Sequence, residues 1–202
     1  PAGLDPAEAV SLVLNYVTAY QMMHRSVHAK AGQRALIHSA SGGVGTALLQ
    51  LGQLVGLEMY GTASRAAHPF VRDLGAVPID YKEQDFVEEI FRLTGDGVDI
   101  VFDGIGGSHM WRSFKTLRKR GRVVAYGLTS TLREGRVVAG RRFRFRGFGY
   151  FGRYMVGAFL SPGRKRFIPY SIQTLKRLKP AWFRADLITL LNLLHEGKVK
   201  PI

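Results

Sequence analysis

Residues 38–56 read HSASGGVGTALLQLGQLVG, and this stretch decides the fold. Within it, residues 40–45 (Ala-Ser-Gly-Gly-Val-Gly) match the dinucleotide-binding pattern G-x-G-x-x-G, with alanine in the first place. In that pattern Gly42 lets the backbone approach a pyrophosphate, and Gly45 lets the helix pack closely on the strand. The helix that follows offers N–H groups and a positive dipole end to an anion. A turn that merely joins a strand to a helix is the alternative.

Strands and helices alternate around that turn. Apolar runs predict strands at 35–38, 57–62, 76–79, 98–102 and 122–126. Helical patterns fill the intervals, at 46–55, 66–74, 85–93 and 108–117. A strand-to-strand spacing of roughly 20–25 residues is typical of βαβ units, and apolar strands without strict alternation indicate a sheet covered on both faces. The sequence predicts an α/β fold, a Rossmann-type doubly wound parallel sheet with helices on both faces.

The flanking segments complete one domain, residues 1–202. A capped, periodic pattern predicts a helix at 6–23, and two further helices are predicted at 168–178 and 186–194. A basic segment rich in arginine and aromatic residues, 133–167, is inserted after the fifth strand. Within it, the alternation of charged and aromatic residues at 142–147 predicts an edge strand.

Composition narrows the class of protein. The chain has 202 residues, 46% of them hydrophobic, which is typical of a globular domain. It contains no cysteine, which excludes disulfides, thiolate metal sites and a cysteine nucleophile, and it fits a cytoplasmic location. No apolar run reaches the roughly 20 residues of a membrane span, and the first residues lack a signal-peptide pattern. Neither a Tyr-x-x-x-Lys pair nor a P-loop motif occurs.

The positive charge is concentrated in one region. The net charge is +14, and residues 112–166 hold 16 of the 29 Lys/Arg but only one acid, Glu134. We rank three interpretations of the basic segment: pairing of two subunits first, a solvated basic surface second, and binding of nucleic acid or an anionic membrane last. Nucleic acid is thus an unlikely partner, and membrane association is at most weak.

The end of the second strand bears on cofactor choice. In the NAD pattern a carboxylate stands about 20 residues beyond the glycines and binds the ribose 2′-OH. Here residues 61–65 read Gly-Thr-Ala-Ser-Arg and contain no acid. The guanidinium of Arg65 suits a dianionic 2′-phosphate, which favours NADP(H) over NAD. The alternative is that Arg65 is a solvated residue in the first turn of the next helix.

Seven motifs in order cover almost the whole chain: NYVTAY (15–20), HSASGGVG (38–45), GTASR (61–65), LGAVPIDYKEQDF (74–86), GVDIVFDGIGG (97–107), GRVVAYG (121–127) and HEGKVKPI (195–202). As a set they resemble the zinc-independent quinone oxidoreductase branch, the zeta-crystallin/VAT-1-like branch, of the medium-chain dehydrogenase/reductase superfamily. The resemblance is to the nucleotide-binding domain only. It implies a GroES-like catalytic domain that this sequence does not contain, so we predict that the chain is a fragment and inactive alone.

The resemblance implies an enzyme that transfers hydride from NADPH to a quinone or an α,β-unsaturated carbonyl, working as a homodimer paired around 142–150. It also implies a cofactor site without metal, in which no catalytic residue is assigned. The implied cofactor-binding residues fall into four groups along the site. They are Asn15 and Thr18 near the nicotinamide ribose; Ser41, Gly42, Gly43 and Val44 at the pyrophosphate; Gly61, Ser64, Arg65, Tyr81, Gly104 and Gly107 around the adenosine; and Tyr126, Gly127, Leu128, Thr129, Phe148, Gly149 and Tyr150 at the nicotinamide.

One departure from the family pattern affects the adenosine end. Many relatives have a lysine a few residues beyond the position of Ser64, whereas residues 66–69 here read Ala-Ala-His-Pro. Arg65 would take over part of the work of that lysine.

Other polar residues carry weaker hypotheses. His24 and His28 have helical spacing and could be a metal pair, but no third ligand is evident. His38 is predicted to be a packed polar residue rather than a base, and Asp103, beside the ligand-binding edge, to have a structural loop role. The alternative function for the whole chain is a Rossmann-type module that acts through its basic segment on nucleic acid, a membrane or a protein.

Overall fold

The computed structural model describes residues 3–127 and 163–202. They form a six-stranded sheet in which every neighbouring pair is parallel, in the order β3-β2-β1-β4-β5-β6. The strands are β1 (Arg34–Ile37), β2 (Glu58–Ala63), β3 (Ala76–Asp80), β4 (Val98–Asp103), β5 (Leu117–Ala125) and β6 (Arg166–Pro169). The order reverses between β1 and β4, which is the switch point of a Rossmann-type sheet. The predicted fold class is confirmed.

One long helix precedes β1, shorter helices connect the strands, and two helices follow β6. The helix that we call α1 consists of four consecutive segments, Pro6–Ser11, Leu12–Tyr16, Val17–Tyr20 and Gln21–Ser26, of which the second and fourth are π-helical. The others are α2 (Gly43–Val55), a 3₁₀ turn (Arg65–Ala67), α3 (His68–Asp73), α4 (Phe86–Thr94), α5 (Ser108–Lys115), α6 (Ile172–Leu178) and α7 (Pro180–His195).

Two apolar clusters fill the two faces of the sheet. Ala35 and Ile37 of β1 belong to one cluster, together with buried residues of α1 and α2. Leu36 belongs to the other, with Phe86 and Ile90 of α4. Alternate residues of β1 therefore serve opposite faces. All six residues of β4 are buried, as expected for a central strand covered on both sides.

An ion pair with a buried carboxylate joins α7 to α1. The carboxylate of Asp186, only 1% exposed, accepts hydrogen bonds from Gln21 Nε2 at 3.0 Å and Arg25 Nη2 at 2.8 Å. The hydroxyl of Tyr170 donates to Gln21 Oε1 at 2.9 Å. The C-terminal helices thus close the same face of the sheet as α1.

The sequence-based boundaries were wrong around β5 and β6, and the helix predicted at 186–194 begins earlier, at Pro180. The helix predicted from residue 168 begins at Ile172, because Arg166–Pro169 is β6 and pairs with β5. The strand predicted at 122–126 begins earlier, at Leu117. The edge strand predicted at 142–147 lies outside the described residues.

Candidate functional site

The glycine turn lies at the carboxyl edge of the sheet, between β1 and α2. Ser39 has a left-handed backbone (φ 55°), and its carbonyl accepts from the N–H of Gly42 at 2.9 Å. A Cβ at Gly45 would stand 2.2 Å from that carbonyl oxygen, so no larger residue fits without moving the backbone. Ser41, Gly42 and Gly43 are exposed and Val44 is half-buried. The turn therefore presents its backbone outward while Gly45 seats the helix.

The N-terminus of α2 has the form of an anion cradle. Its N-cap residue, Gly42, makes no side-chain capping bond to the first helical N–H groups. Those groups lie at the switch point of the sheet, where ligands bind in open α/β folds. A Cβ on the exposed Gly42 would meet only Ser39, its carbonyl oxygen at 3.2 Å and its Cβ at 4.0 Å, so the space beside this glycine is open. The residues present thus fit a bound pyrophosphate.

The two residues predicted on α1 have different environments. The side chain of Asn15 lies against the turn, because a Cβ on Gly43 would stand 2.5 Å from Asn15 Nδ2. Thr18 is only 5% exposed, and its side chain bonds with that of Tyr170. The structure therefore brings Asn15 to the cradle and leaves Thr18 inside the α1 packing.

The end of β2 leads into an open cleft. Gly61 is buried, and a Cβ there would stand 2.7 Å from that of Ala40, so it admits the glycine turn next to β2. Ser64 precedes the 3₁₀ turn as its N-cap. Arg65 follows it, exposed, and lines a cleft of about 560 Å³. The strand therefore ends beside an exposed guanidinium and has no carboxylate of its own at this point.

Three basic side chains share one wall of this cleft: Arg65, His68 and Arg72. His68 Nε2 is buried and has no hydrogen-bond partner among the described residues. A buried polar nitrogen without a partner is costly, so it marks a place where a ligand acceptor would be favourable. His68 occupies the stretch in which the family resemblance anticipates a lysine.

The opposite wall follows β3 and carries acids. Asp80 is buried, and its Oδ1 accepts from the N–H of Lys82 at 3.0 Å, so its charge is used within its own turn. Glu83 is exposed and also lines the cleft. The ring of Tyr81 is 53% exposed beside this wall. Tyr81 is therefore available as an apolar surface for a base.

The loops after β4 and β5 pack on each other through glycines. A Cβ on Gly104 would stand 2.8 Å from the ring of Tyr126, and one on Gly127 would stand 2.2 Å from the Gly104 carbonyl oxygen. Gly107 has a φ of 57° and is the N-cap of α5. Burial raises the pKa of the Tyr126 phenol, and the charge of Asp103 adds to this effect. Four predicted residues thus lie together at the switch-point edge.

Sequence reasoning missed a buried polar network beneath this edge. Ser113 Oγ donates to Asp103 Oδ2 at 2.7 Å and lies 3.0 Å from His38 Nε2. His38 Nδ1 lies 3.1 Å from Thr62 Oγ1, and His109 Nδ1 lies 3.3 Å from Asp103 Oδ2. A neutral His38 satisfies both of its contacts by donating through Nε2 to Ser113 and accepting from the Thr62 hydroxyl.

The network also shapes the loop that follows β4. Asp103 Oδ1 accepts from the N–H groups of Ile105 and Gly106, at 2.8 and 3.0 Å. Burial alone would raise the pKa of Asp103, but His109, His38 and the Gly106 N–H outweigh it and hold the pKa well below its usual range. A carboxylate that stays charged therefore fixes this loop, which accords with the predicted structural role of Asp103. His38 is fully buried, and burial lowers its pKa to about 3.

The same side chains are the one group of three metal-ligand types found close together in the described residues. The candidate ligand atoms of His38, Asp103 and His109 lie within 4.8 Å of one another. They already bond to each other and to Ser113 and Thr62, so they act as a hydrogen-bonded set. The ring of His24 packs at a tilt against that of Tyr20, with centroids 4.2 Å apart, and His28 lies beyond the helix, with a φ of 46°.

Five predicted site residues lie outside the described residues: Leu128, Thr129, Phe148, Gly149 and Tyr150. Within the described part of the chain, no helix has the length and apolar character needed to cross a membrane.

Residues 43–176 match the family described as zinc-binding dehydrogenase. The chain is 39% identical to the synaptic vesicle membrane protein VAT-1 homolog of Rattus norvegicus over 134 residues, 65% of this chain and 33% of that protein. The matched part therefore spans about a third of the length of this relative.

Two solved structures extend the likeness to nearly the whole chain. CurK enoyl reductase superposes with a TM-score of 0.77 at 26% identity, covering 100% of this chain and 55% of that one. The nucleotide-binding subdomain of the enoylreductase domain of PpsC from Mycobacterium tuberculosis gives 0.72 at 26% identity, covering 95% and 98%. The chain thus corresponds to part of the first structure and to nearly all of the second.

Proposed function

The chain belongs to the zinc-binding dehydrogenase family, in the VAT-1-like branch of the medium-chain dehydrogenase/reductase superfamily, and on this premise we propose that it is the NADP(H)-binding part of an oxidoreductase. The whole protein would reduce a quinone or an α,β-unsaturated carbonyl. The relatives' names support the class of reaction, since they include an enoyl reductase and an enoylreductase domain. Independence from zinc, a cytoplasmic location and homodimer formation around 142–150 are further parts of the proposal, based on the family resemblance and composition.

The observation that carries the proposal is the basic wall beside the end of β2. Arg65, His68 and Arg72 line one cleft, and β2 ends without a carboxylate. An exposed guanidinium binds a phosphate dianion more strongly than a ribose hydroxyl. Of the two acids that line this cleft, Asp80 is held by the backbone of its own turn and Glu83 is exposed to solvent. These features favour a 2′-phosphate, and hence NADP(H) over NAD(H).

The other residues have distinct tasks along the same edge. Ser41, Gly42, Gly43 and Val44 would hold the pyrophosphate through backbone N–H groups at the start of α2. Tyr81 and the loop containing Gly104 and Gly107 would enclose the adenosine. Tyr126 and Gly127 would border the nicotinamide, and Asn15 its ribose.

When bound, the cofactor would supply a hydride to an electron-poor carbon of the substrate. The residues of this chain would hold it and exclude water from its nicotinamide end. No residue described here is assigned to proton transfer, and we expect the chain alone to bind cofactor but to turn over poorly.

Titration of the intrinsic fluorescence of NADPH and NADH tests the cofactor assignment. We expect NADPH to bind more tightly, and the variant Arg65→Ala to weaken NADPH binding by about tenfold or more, because a charge-assisted bond is worth roughly 1.5–3 kcal/mol. NADH binding should change little. Arg177→Ala, which removes an exposed arginine from α6, is the control. Equal affinity for the two cofactors, or no binding of either, would overturn the assignment.

A further inference from the structure

A second concentration of charge lies at the amino edge of the sheet, opposite the cofactor edge. Val98 of β4 pairs with Leu117 of β5, and the next paired residues are Ile100 and Arg122. Residue 99 of β4 thus stands opposite four residues of β5, 118–121, which read Arg-Lys-Arg-Gly. Irregularities of this kind bend a strand away from its partner and re-aim its side chains. Here the inserted residues form a basic bulge of β5 at the amino edge.

A second basic segment, residues 163–165, packs against this bulge through the backbone. The N–H of Arg120 donates to the carbonyl of Gly163 at 2.8 Å, just before β6 begins. Arg120 and Arg164 both have left-handed backbones, with φ of 65° and 55°. Such conformations are unfavourable for residues other than glycine, asparagine and aspartate, and they persist only where the surroundings impose them. Two arginines are therefore held at the rim of one edge by fixed backbone rather than by flexible termini.

The bulge of β5 and the segment before β6 border an open cleft of about 700 Å³. Six cationic side chains line it: Arg118, Lys119, Arg120, Arg122, Arg164 and Arg166. Its remaining lining residues are Gln33, Asp96 and Asp99. The volume is of the size usual for a small-molecule site rather than a flat surface patch.

The two carboxylates are already used by neighbouring groups. Asp99 Oδ1 accepts from Arg118 Nε at 2.7 Å, and Asp99 Oδ2 accepts from the N–H of Arg34 at 2.8 Å. Asp96 pairs with the guanidinium of Arg34 at 2.7 Å. Within the described part of the chain, the side chains of Lys119, Arg120, Arg164 and Arg166 have no ion pair. The cleft therefore carries a net positive charge that its own acids do not neutralise.

Arg122 shows that an anion would be favourable inside the cleft. Its Nη1 donates to the carbonyl of Val27, while its Nε is buried and has no partner among the described residues. Burial lowers the pKa of Arg122; Asp99 opposes this shift and the like charge of Arg166 adds to it. A buried donor without an acceptor, next to like charges, is an arrangement that a bound oxyanion would relieve.

We propose that the amino-edge cleft binds a multiply charged phosphate group, held by Arg120, Arg122, Arg164 and Arg166 at a site separate from the cofactor edge. Arginine favours this ligand class, because its planar fork pairs with two phosphate oxygens at once. A cleft of about 700 Å³ favours a compact polyphosphate over an extended strand. The phosphate can belong to a free metabolite or to a phosphoinositide headgroup at a membrane surface, since both present the same chemistry.

Calorimetric titration of the 202-residue chain with inorganic tripolyphosphate at about 0.15 M salt tests the site. The test variant is Arg120→Gln/Arg164→Gln. The control, Arg177→Gln/Arg184→Gln, removes the same charge from exposed positions on α6 and α7 that do not line the cleft. We expect the test variant to weaken binding by about tenfold or more, and the control by less than about twofold. Thermal melting confirms that both variants are folded.

Two further measurements identify the site and the source of the phosphate. Gly42→Ala, which alters the cofactor cradle, should leave tripolyphosphate binding at the amino edge unchanged. Sedimentation with phosphatidylcholine vesicles, with or without a few per cent of a phosphatidylinositol bisphosphate, distinguishes a headgroup from a free metabolite. Retention that requires Arg120 and Arg164 indicates a headgroup, whereas tripolyphosphate binding without retention indicates a free metabolite, and both outcomes support the site.

Three results would overturn the proposal. One is the absence of tripolyphosphate binding by the wild-type chain, and another is equal weakening by the test and control variants. The third is a single-stranded oligonucleotide that binds more tightly than tripolyphosphate at the same salt concentration, because that preference indicates an extended surface. Repeating the titrations in Gly42→Ala separates these results from any tripolyphosphate bound at the cofactor cradle, and hence from the proposed function.

Discussion

His38 Nε2 lies 3.0 Å from Ser113 Oγ, and this contact joins the end of β1 to α5 below the cofactor edge. His38 is fully buried beside Phe86 and His109, with ring centroids 4.8 and 4.4 Å away. The hydroxyl of Ser113 in turn donates a hydrogen bond to Asp103 Oδ2 at 2.7 Å. The surroundings of His38 therefore stabilise its neutral form, which donates one hydrogen bond and accepts another.

Acid should therefore destabilise the fold through His38. Burial lowers its folded-state pKa to about 3, and the charges of His109 and Arg112 act in the same direction against Asp103. Between about pH 6.5 and about 3 the unfolded chain binds a proton on His38 that the folded chain does not, so stability is lost as pH falls. We expect up to about 1.4 kcal/mol of lost unfolding free energy for each pH unit from this group.

Urea unfolding at a series of pH values measures this effect. The depressed pKa of Asp103 has the same sign but acts below about pH 4. Burial also lowers the pKa of His24, which contributes between about pH 5 and 6.5, so the difference between the wild-type chain and a His38 variant measures the share of His38. His38→Gln should flatten the dependence there, whereas His195→Gln, which removes an exposed histidine, should not. An unchanged slope in His38→Gln would contradict the assignment.

Two glycines of the same turn should separate folding from binding. Gly45→Ala places a Cβ against the carbonyl oxygens of Ser39 and Ala40, at 2.2 and 2.7 Å, and should cost about 1–3 kcal/mol of stability. Gly42→Ala meets only the Ser39 carbonyl, at 3.2 Å, and its Cβ faces solvent at the cradle. It should leave the melting temperature nearly unchanged and weaken NADPH binding.

Thermal melting and cofactor fluorescence on both variants measure the two effects. A Gly42→Ala chain with unaltered cofactor affinity would show that the turn serves only to connect β1 and α2.

The sequence predicted the repeating part of the fold well because strand and helix signals there are local. It failed at β6, since Arg166–Pro169 is short and begins with a charged residue, and only pairing with β5 makes it a strand. The start of β5 was missed for a related reason: residues 118–121 are basic and interrupt the apolar run. Both errors occur where tertiary pairing overrides local preference.

The same difference between local signals and tertiary packing decides which site residues the sequence identified. The glycine turn and Arg65 were identifiable because their spacing is fixed by one βαβ unit. Ser113 and His109 were not, because they reach Asp103 only when α5 packs on the sheet. The four-residue separation of His109 and Ser113, which places them on one helix face, was the available signal. The orphaned nitrogen of His68 depends on surrounding atoms and has no sequence signature.

Asp186 should be essential for the docking of α7 on α1. Its carboxylate is almost fully buried and receives Gln21 and Arg25, so Asp186→Ala leaves two donors without an acceptor. We expect a loss of about 2 kcal/mol in unfolding free energy, because the buried amide of Gln21 loses its acceptor while Arg25, 35% exposed, keeps access to water. Glu196→Ala, which breaks an exposed pair with Lys198, should cost less than about 1 kcal/mol. Chemical denaturation of both variants gives the comparison, and similar losses would contradict a structural role for the buried pair.

His68 should contribute to the choice between NADPH and NADH. Its buried Nε2 lacks a partner among the described residues and lines the cleft with Arg65 and Arg72. If a 2′-phosphate supplies the missing acceptor, His68→Ala should weaken NADPH binding several-fold and leave NADH binding nearly unchanged, because only NADPH carries that group. His68→Lys should keep or strengthen the preference, since an ammonium can replace the imidazole as a donor. Fluorescence titration of both cofactors gives the ratio of dissociation constants for each variant. Equal weakening of both cofactors by His68→Ala would instead mean that the residue only supports the 3₁₀ turn and α3.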